Sequence, residues 1–253
     1  MTNRRLRTRL YGTVTVGALA FVAACTAAPD DAGTDTRSPK SSSSASGERS
    51  RPAASPESSA DLLSAARDGD TDAVRAAVRA GADTEVRDDR GRTPLLLAAL
   101  GDHVAAAKVL VAAGADPDAQ DEQDDSAWLV TGVTGSAAMA RALVPADPDY
   151  SLENRYGGTS LIPAGEHGHA DYVREVLRGT DMDVDHVNNL GWTALLEAII
   201  LGDGGRDHQR VVSLLLDGGA DPKLADGEGV TPLAHAEQRG YDEIAALLRD
   251  AGA

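Results

Sequence analysis

One stretch, residues 93–118, recurs along most of the chain and constrains its fold more than any other feature. It opens with Thr93-Pro94, continues through two apolar runs separated by a turn, and ends with Gly114-Ala115-Asp116. A degenerate copy begins upstream at Ala60, and related openings follow downstream, at intervals of 33, 33, 34 and 38 residues, at Ser126, Thr159, Thr193 and Thr231. A repeat of this length is one supersecondary unit that buries its apolar face only by stacking on its neighbours. The chain is therefore expected to form an elongated array.

Each repeat has the features of a pair of helices. Thr93 can cap free backbone N–H groups, and Pro94 is tolerated at the first helical position because its missing N–H is not needed there. Gly114 suits the left-handed residue that ends a helix. With this period and its Thr-Pro-Leu opening, the chain resembles an ankyrin-repeat protein over residues 59–253.

The resemblance implies an all-α solenoid of about six repeats, each made of two antiparallel helices and a projecting loop. At least three stacked repeats are needed for such an array to be stable. The repeats are placed at residues 59–91, 92–124, 125–157, 158–191, 192–229 and 230–253.

The first 58 residues differ in composition from the repeats. Residues 1–9 carry four arginines and no acid, and a fifteen-residue, largely apolar run ends just before Cys25. This order is typical of a secretory signal peptide, and the run is shorter than the roughly 20 residues of a membrane-spanning helix. Val22-Ala23-Ala24-Cys25 resembles the lipobox of bacterial lipoproteins, in which the cysteine is lipidated. We therefore predict a signal peptide at residues 1–24, a lipid anchor on Cys25, and export to the extracytoplasmic face of the cell membrane.

The alternative is an ordinary secretory signal with an incidental cysteine, which would release a soluble protein. Cys25 is the only cysteine of the chain, so it has no disulfide partner within it. Residues 25–58 are rich in Ser, Ala, Pro, Asp and Arg and carry almost no large apolar side chain. Such a segment cannot bury enough surface to order itself, so we expect a flexible linker after the cysteine.

The formal net charge of −16 restricts the partners. An acidic surface repels nucleic acid and anionic lipid headgroups. We therefore expect a protein partner, no nucleic acid, and contact with the membrane only through the lipid on Cys25. We expect no cofactor and a monomeric chain. An array that inhibits a secreted basic protein is a further alternative.

The resemblance places partner contacts on the loop tips and on the exposed side of the first helices. Tyr156, Leu190 and Trp192 place apolar and aromatic side chains among polar ones, and interfaces favour aromatic residues and arginine. We therefore expect the tips of the third to fifth loops to form the interaction surface. The predicted partner-binding residues are Arg155, Tyr156, Asn188, Asn189, Leu190 and Trp192. The alternative is that the loops are polar for solubility and that Trp192 packs on its neighbour.

Glu197 and His235 occupy an unusual position for polar residues. Both lie four residues after the Thr of their repeat, where the second repeat has Leu97. Stacked helices lie about 8–10 Å apart, so the two side chains are within reach of each other. A buried carboxylate is costly unless it is paired or hydrogen-bonded. We therefore expect a buried polar pair, or a bond from Glu197 to the loop backbone.

A functional alternative for the same two residues is an enzyme active site or a small-ligand pocket in repeats four to six. Such a pocket would also use Glu166, His167 and His186, because Glu and His can serve in acid–base chemistry. No nucleophile with an adjacent base and no familiar metal-ligand spacing supports it. We therefore predict no catalytic residue and no enzyme activity.

Acidic clusters and an insertion complete the candidate sites. Residues 181–185 have the spacing that opens a calcium loop, but the sixth and twelfth positions are His186 and Trp192 in place of Gly and Glu. We predict no metal site there and interpret the acidic residues of 116–125 as a solvated loop. Gly202–Arg206 is an insertion in the fifth repeat, which is either a tolerated surface loop or a contact element.

Overall fold

The computed structural model describes residues 56–253. The predicted signal peptide, the predicted lipid anchor on Cys25 and all but the last three residues of the predicted linker lie outside this part of the chain. The first helix begins at Pro56, three residues before the predicted first repeat. Proline is favoured at the first position of a helix.

Within residues 56–253 the chain forms twelve α-helices and no strand. They are arranged as six consecutive pairs, which confirms the predicted all-α class. The pairs are α1 (Pro56–Asp68) with α2 (Thr71–Arg79), α3 (Pro94–Leu100) with α4 (Val104–Ala112), α5 (Leu129–Thr134) with α6 (Ala137–Leu143), α7 (Leu161–Glu166) with α8 (Ala170–Gly179), α9 (Ala194–Ile200) with α10 (Arg206–Asp217), and α11 (Pro232–Arg239) with α12 (Asp242–Asp250).

The helices lie in two layers. Each first helix contacts the first helix of the next repeat, from α1 through to α11, and the second helices form a parallel series from α2 to α12. The fully buried side chains Leu62, Leu95, Leu161 and Leu195 belong to the first layer. The core is therefore continuous along the array, as the repeat pattern predicts.

Two glycines allow the first helices to approach closely. A Cβ at Gly132 would lie 1.8 Å from the carbonyl oxygen of Ser160, and one at Gly165 would lie 2.5 Å from that of Ala194. Neither distance leaves room for a methyl group. Gly132 interrupts a helical sequence because the next repeat packs directly against its Cα.

In four repeats, the second, fourth, fifth and sixth, a side chain at the turn between the paired helices or at the start of the second helix is hydrogen-bonded to the repeat before it. His103 Nε2 donates to the carbonyl of Arg67 at 3.0 Å, and the Tyr241 hydroxyl donates to that of Gly202 at 2.9 Å. These bonds satisfy carbonyls at or near the ends of the first helices, which have no partner within their own helix. In the described part of the chain, no helix is long and apolar enough to cross a membrane.

Candidate interaction surface

Five hairpin loops share one hydrogen-bonded frame. In each, the Oδ1 atom of an Asp or Asn accepts hydrogen bonds from the backbone N–H groups two and four residues later. The backbone N–H of that residue donates to the carbonyl four residues on. From the first loop to the fifth, the framing residues are Asp88, Asp121, Asn154, Asn188 and Asp226. Asp and Asn stabilise turns in this way, so the tip residues project from a preorganised backbone.

Neighbouring loops are also bonded to each other. The backbone N–H of Glu122 donates to the Arg90 carbonyl at 3.1 Å, and that of Asn189 donates to the Tyr156 carbonyl at 3.0 Å. The tips of the first and second loops are therefore held side by side, as are those of the third and fourth.

The third and fourth loops expose the apolar side chains that the sequence indicated. Tyr156 is 59% exposed and Leu190 is 63% exposed. The Arg155 guanidinium lies over the Tyr156 ring, 4.7 Å from its centroid, and Nη1 of Arg155 donates to Oε1 of Gln123 in the loop before it. A cation over an aromatic face is attracted to it, so Arg155 helps to fix the orientation of the exposed ring. Asn189 is also exposed.

Asn188 and Trp192 differ from the expectation for tip residues. Asn188 is only 7% exposed. Its Oδ1 accepts from the N–H groups of Leu190 and Trp192, and its Nδ2 donates to Glu197 Oε1 at 2.8 Å. Asn188 therefore positions the tip and does not present itself to a partner. Trp192 is half-buried.

Sequence reasoning missed other exposed apolar side chains. Leu100, Val133 and Leu201 are exposed at the C-terminal ends of three first helices, and Val187 is exposed on the fourth loop. Leu100 and Val133 could have been found from the sequence, because each is an apolar residue seven positions after the Thr or Ser that opens its repeat. Ala99 and Ile199, at the ends of the same helices, are fully buried, so exposure depends on the face of the helix on which a side chain lies and not on its hydrophobicity.

Glu197 and His235 do not pair with each other, contrary to the prediction. Glu197 bonds to Asn188, and His235 Nε2 donates to Asp226 Oδ2 at 2.7 Å. Each side chain reaches back nine residues to the framing residue of its own loop. The predicted pair was wrong because helix spacing gives the distance between neighbouring repeats but not the direction of a side chain.

The environment of Glu197 is unfavourable for its charge. Glu197 is only 5% exposed. Burial raises its pKa to about 7, the negative charge of Glu166 acts in the same direction, and the bond from Asn188 opposes them. Asp226 behaves in the opposite way, because hydrogen bonds from the Val230 N–H, from His235 and from the Glu228 N–H outweigh its burial and lower its pKa.

Of the other members of the predicted Glu/His pocket, Glu166 acts on Glu197 through its charge, whereas the two histidines bond or pack elsewhere. His186 Nε2 donates to the Gly157 carbonyl at 2.7 Å, and His167 lies against His169 with ring centroids 5.5 Å apart. Across residues 56–253, no group of three or more His, Cys, Asp or Glu side chains is arranged to hold a metal ion.

The insertion at Gly202–Arg206 lies between α9 and α10 and is bonded within the array. Asp203 Oδ1 accepts from the Gly205 N–H and lies 2.8 Å from His208 Nδ1. His208 Nε2 donates to the Glu166 carbonyl in the repeat before it. These contacts give the insertion a structural role.

Comparisons with known proteins agree with this architecture. A family described as "Ankyrin repeats (3 copies)" matches residues 61–121 and 128–226. The putative ankyrin repeat protein YahD of Escherichia coli K12 is 43% identical over 194 residues, which cover 77% of this chain and 96% of that protein.

Two solved structures extend the likeness to three dimensions. An ankyrin repeat domain from Acinetobacter baumannii AYE has a TM-score of 0.72 at 45% identity, covering 76% of this chain and 97% of its own. The ankyrin repeat domain of Bcl-3, a member of the IkappaB family, has a TM-score of 0.69 at 26% identity, covering 76% of this chain and 86% of its own. The chain belongs to the ankyrin-repeat family.

Proposed function

We propose that this protein is a scaffold that binds another protein through the tips of its third and fourth hairpin loops. Ankyrin repeats generally serve as protein-interaction scaffolds, and the proteins that carry them are typically not enzymes. The observation that carries the proposal is the exposure of Tyr156 and Leu190 on loops whose backbone is fixed by internal hydrogen bonds.

The physical argument concerns the cost of association. Ordering flexible loops and side chains on binding reduces affinity, so a preorganised surface binds more tightly than a mobile one of equal area. The two exposed apolar side chains lie on loops held together by the Asn189–Tyr156 backbone bond. Arg155 and Asn189 surround them with polar groups, which is the usual arrangement of an interface centre and rim.

The test compares the full chain, solubilised in mild detergent, with a variant carrying Tyr156→Ala and Leu190→Ala. Each is used to capture proteins from solubilised cell envelopes. The control carries Asp89→Ala and Glu122→Ala, which change exposed tip residues of the first and second loops. We expect a partner that is retained by the wild type and the control and lost by the variant. A partner that binds the variant equally well would remove these tips from the contact surface.

We further propose that the protein is exported and anchored to the extracytoplasmic face of the membrane through a lipid on Cys25. The support is the arrangement of the arginines, the apolar run and the lipobox-like Val22-Ala23-Ala24-Cys25. Each buried CH₂ of a lipid contributes about 0.8 kcal/mol, and two or more acyl chains anchor stably. Cys25→Ser should move the protein from the detergent phase to the aqueous phase in a phase-partition assay. Unchanged partitioning would contradict the anchor.

One class of partner is favoured by charge. The net charge of −16 attracts basic proteins and accelerates their association. Inhibition of a secreted basic protein is therefore the second candidate function. It predicts that capture of the partner weakens steeply as salt is raised, whereas a contact made mainly by Tyr156 and Leu190 would be less sensitive to salt.

A further inference from the structure

A cavity of about 440 Å³ lies where the third repeat meets the fourth. The segments that follow α6 and α8 form much of its wall. Its lining includes the apolar surfaces of Tyr150 and Met182, and four carboxylates, those of Asp147, Asp149, Asp181 and Asp183. A cavity of this size is in the range that holds small molecules or a single large side chain.

The negative charge in this cavity is not balanced by the protein. No Lys or Arg is among its lining residues. Asp149 and Asp183 each accept a backbone hydrogen bond within their own turn. The carboxylates of Asp147 and Asp181 are exposed to solvent at this cavity, and within residues 56–253 neither has a hydrogen bond or an ion pair. The one lining residue able to become cationic is His186, whose Nε2 is engaged by the Gly157 carbonyl and lies 3.6 Å from Glu153 Oε1.

A buried hydroxyl in the same cavity also has no partner. Thr159 lines it and is only 3% exposed, and Oγ1 of Thr159 makes no hydrogen bond. Buried polar atoms are nearly always hydrogen-bonded in native proteins. In four other repeats the equivalent hydroxyl oxygen accepts a hydrogen bond from the backbone N–H three residues later, at Thr93, Ser126, Thr193 and Thr231.

The reason for the difference is local. Pro163 lies in the first turn of α7 and has no N–H to donate to the Thr159 carbonyl, which accepts from Ile162 at 3.2 Å instead. The helix start is displaced to Leu161, and the Thr159 hydroxyl no longer caps it. The Thr159 hydroxyl, which can both donate and accept a hydrogen bond, is thereby left without a partner in the wall of an acidic cavity.

We propose that this cavity binds an organic cation through a guanidinium or primary ammonium group. Such a group donates hydrogen bonds to Asp147 and Asp181 and to the Thr159 oxygen, while its aliphatic stem packs on Met182 and Tyr150. Charge-assisted hydrogen bonds of this kind are stronger than neutral ones. A divalent metal fits less well, because its oxygen ligands have to converge on one point and these side chains form no such group.

The protonation behaviour of neighbouring groups agrees with an unbalanced negative field. Burial raises the pKa of the Tyr150 phenol, and nearby negative charges raise it further; these belong to Asp147, Asp181 and Asp118. Burial also raises the pKa of Asp118, whose Oδ2 accepts from the Asp149 N–H while its Oδ1 is buried without a partner. A cation in the cavity would reduce both effects.

The test is calorimetric titration of the full chain, in non-ionic detergent, with agmatine, which carries a guanidinium and a primary ammonium group. We compare the wild type with the variant carrying Asp147→Asn and Asp181→Asn. Asp147 has a φ of +56°, and Asn tolerates that conformation, so the variant should fold; circular dichroism checks this. The matched control, Glu122→Gln with Asp124→Asn, removes the same charge from exposed positions outside the cavity.

We expect binding with one site per chain and a loss of affinity of about tenfold or more in the cavity variant, with a change of less than about twofold in the control. Thr159→Val, which keeps the shape of the side chain, should weaken binding by about threefold. Equal losses in both charge variants would mean that agmatine is attracted only by the overall acidity, which would overturn the proposal. No binding to the wild type would overturn it as well, and so would calcium binding that depends on the same two aspartates.

A second ligand identifies the source of the cation. It is a blocked tripeptide, acetyl-Gly-Arg-Gly-amide, which presents an arginine as a partner protein would. If the peptide binds with the same dependence on Asp147 and Asp181, the site accepts a side chain of the protein partner. If only agmatine binds, the ligand is a free small molecule. Neither titration uses Tyr156 or Leu190, so loss of this proposal leaves the proposed interaction surface standing, and the reverse also holds.

Discussion

The first and fourth hairpin loops have the same backbone and opposite side-chain chemistry. Both are framed by an Asx residue whose Oδ1 accepts two backbone hydrogen bonds. In the first loop, the second oxygen of Asp88 accepts from the Arg92 guanidinium at 2.7 and 3.0 Å. In the fourth loop, the Asn188 amide donates to the buried carboxylate of Glu197.

The difference shows that one loop frame can be stabilised in ways that respond oppositely to pH. Burial opposes ionisation of Asp88, but hydrogen bonds from the Arg92 side chain and from backbone N–H groups outweigh it and lower its pKa to about 2. Burial raises the pKa of Glu197 to about 7. The framing residue fixes the backbone, and the remaining polar atom of its side chain determines which partner residue is required.

The largest expected effect is that of Asn188→Ala. It removes two backbone hydrogen bonds from the fourth loop and leaves Glu197 buried without a donor. Breaking such an arrangement should lower the free energy of unfolding by about 3 to 4 kcal/mol, measured by urea unfolding at pH 7. Asn189→Ala, at the exposed neighbouring position, serves as the control and should cost less than about 0.5 kcal/mol. Similar losses in the two variants would contradict the framing role of Asn188.

Glu197→Gln should abolish the pH dependence that Glu197 contributes to the stability of the fourth loop. Glu197 has a raised folded-state pKa, so its stability contribution is greatest below pH 4.5 and is lost as the pH rises towards and through 7. Above pH 7 the Gln variant should be more stable than the wild type by up to about 3 kcal/mol, and near pH 4 the two should be equal. Urea unfolding across pH 4–9 measures this, with Glu228→Gln as an exposed control. A constant difference at all pH values would refute the assignment.

Asp88→Asn should have the opposite dependence on pH and a smaller effect. The folded-state pKa of Asp88 is depressed to about 2, so its stabilisation is present above pH 4 and lost as the pH falls towards 2. The Asn variant should be less stable than the wild type by about 2 kcal/mol at pH 6, with the deficit shrinking below pH 4. Asp89→Asn at the exposed tip is the control. A deficit that persists unchanged at pH 2 would indicate a packing defect and not a lost charge.

The smallest effects concern the helix caps. Thr93 and Thr193 each accept a hydrogen bond at 3.2 Å from the third residue that follows, so the repeats after the first and fourth loops begin alike. Substitution of either by Val should cost about 1 kcal/mol in unfolding free energy. Thr159→Val should cost almost nothing, because that hydroxyl caps no helix. An equal loss at all three positions would show that the fourth repeat starts as the others do.

The fold could be predicted from the sequence because the same signals for the start and end of a helix recur in several repeats. The Thr-Pro openings predicted helix starts at Pro94 and Pro232, where the structure has them. Gly132 and Pro163, two departures from the pattern, are explained by contacts with the adjacent repeat and by a displaced helix start. The repeat length alone could predict neither the contact that requires Gly132 nor the displaced helix start at Pro163.

Side-chain direction was less predictable than position. Asn188 is polar, as expected of a residue at a loop tip. It nevertheless points inward, because its amide donates a hydrogen bond to the buried Glu197 carboxylate. Glu197 and His235 lie at the expected place in their helices, yet each bonds to its own loop. Leu100 and Val133 are exposed because of the face of the helix on which they lie, which their hydrophobicity does not reveal.

The central claim is that the tips of the third and fourth loops contact a protein partner. Site-specific photocrosslinking in living cells tests it most directly, with the crosslinking amino acid placed in turn at Tyr156, Leu190, Arg79 and Asp250. The last two are exposed at the ends of second helices, in the other layer of the array. We predict one discrete covalent adduct, to the same protein, from Tyr156 and Leu190 and none from the second-layer positions. Adducts from Arg79 or Asp250 without adducts from the loop tips would contradict the account.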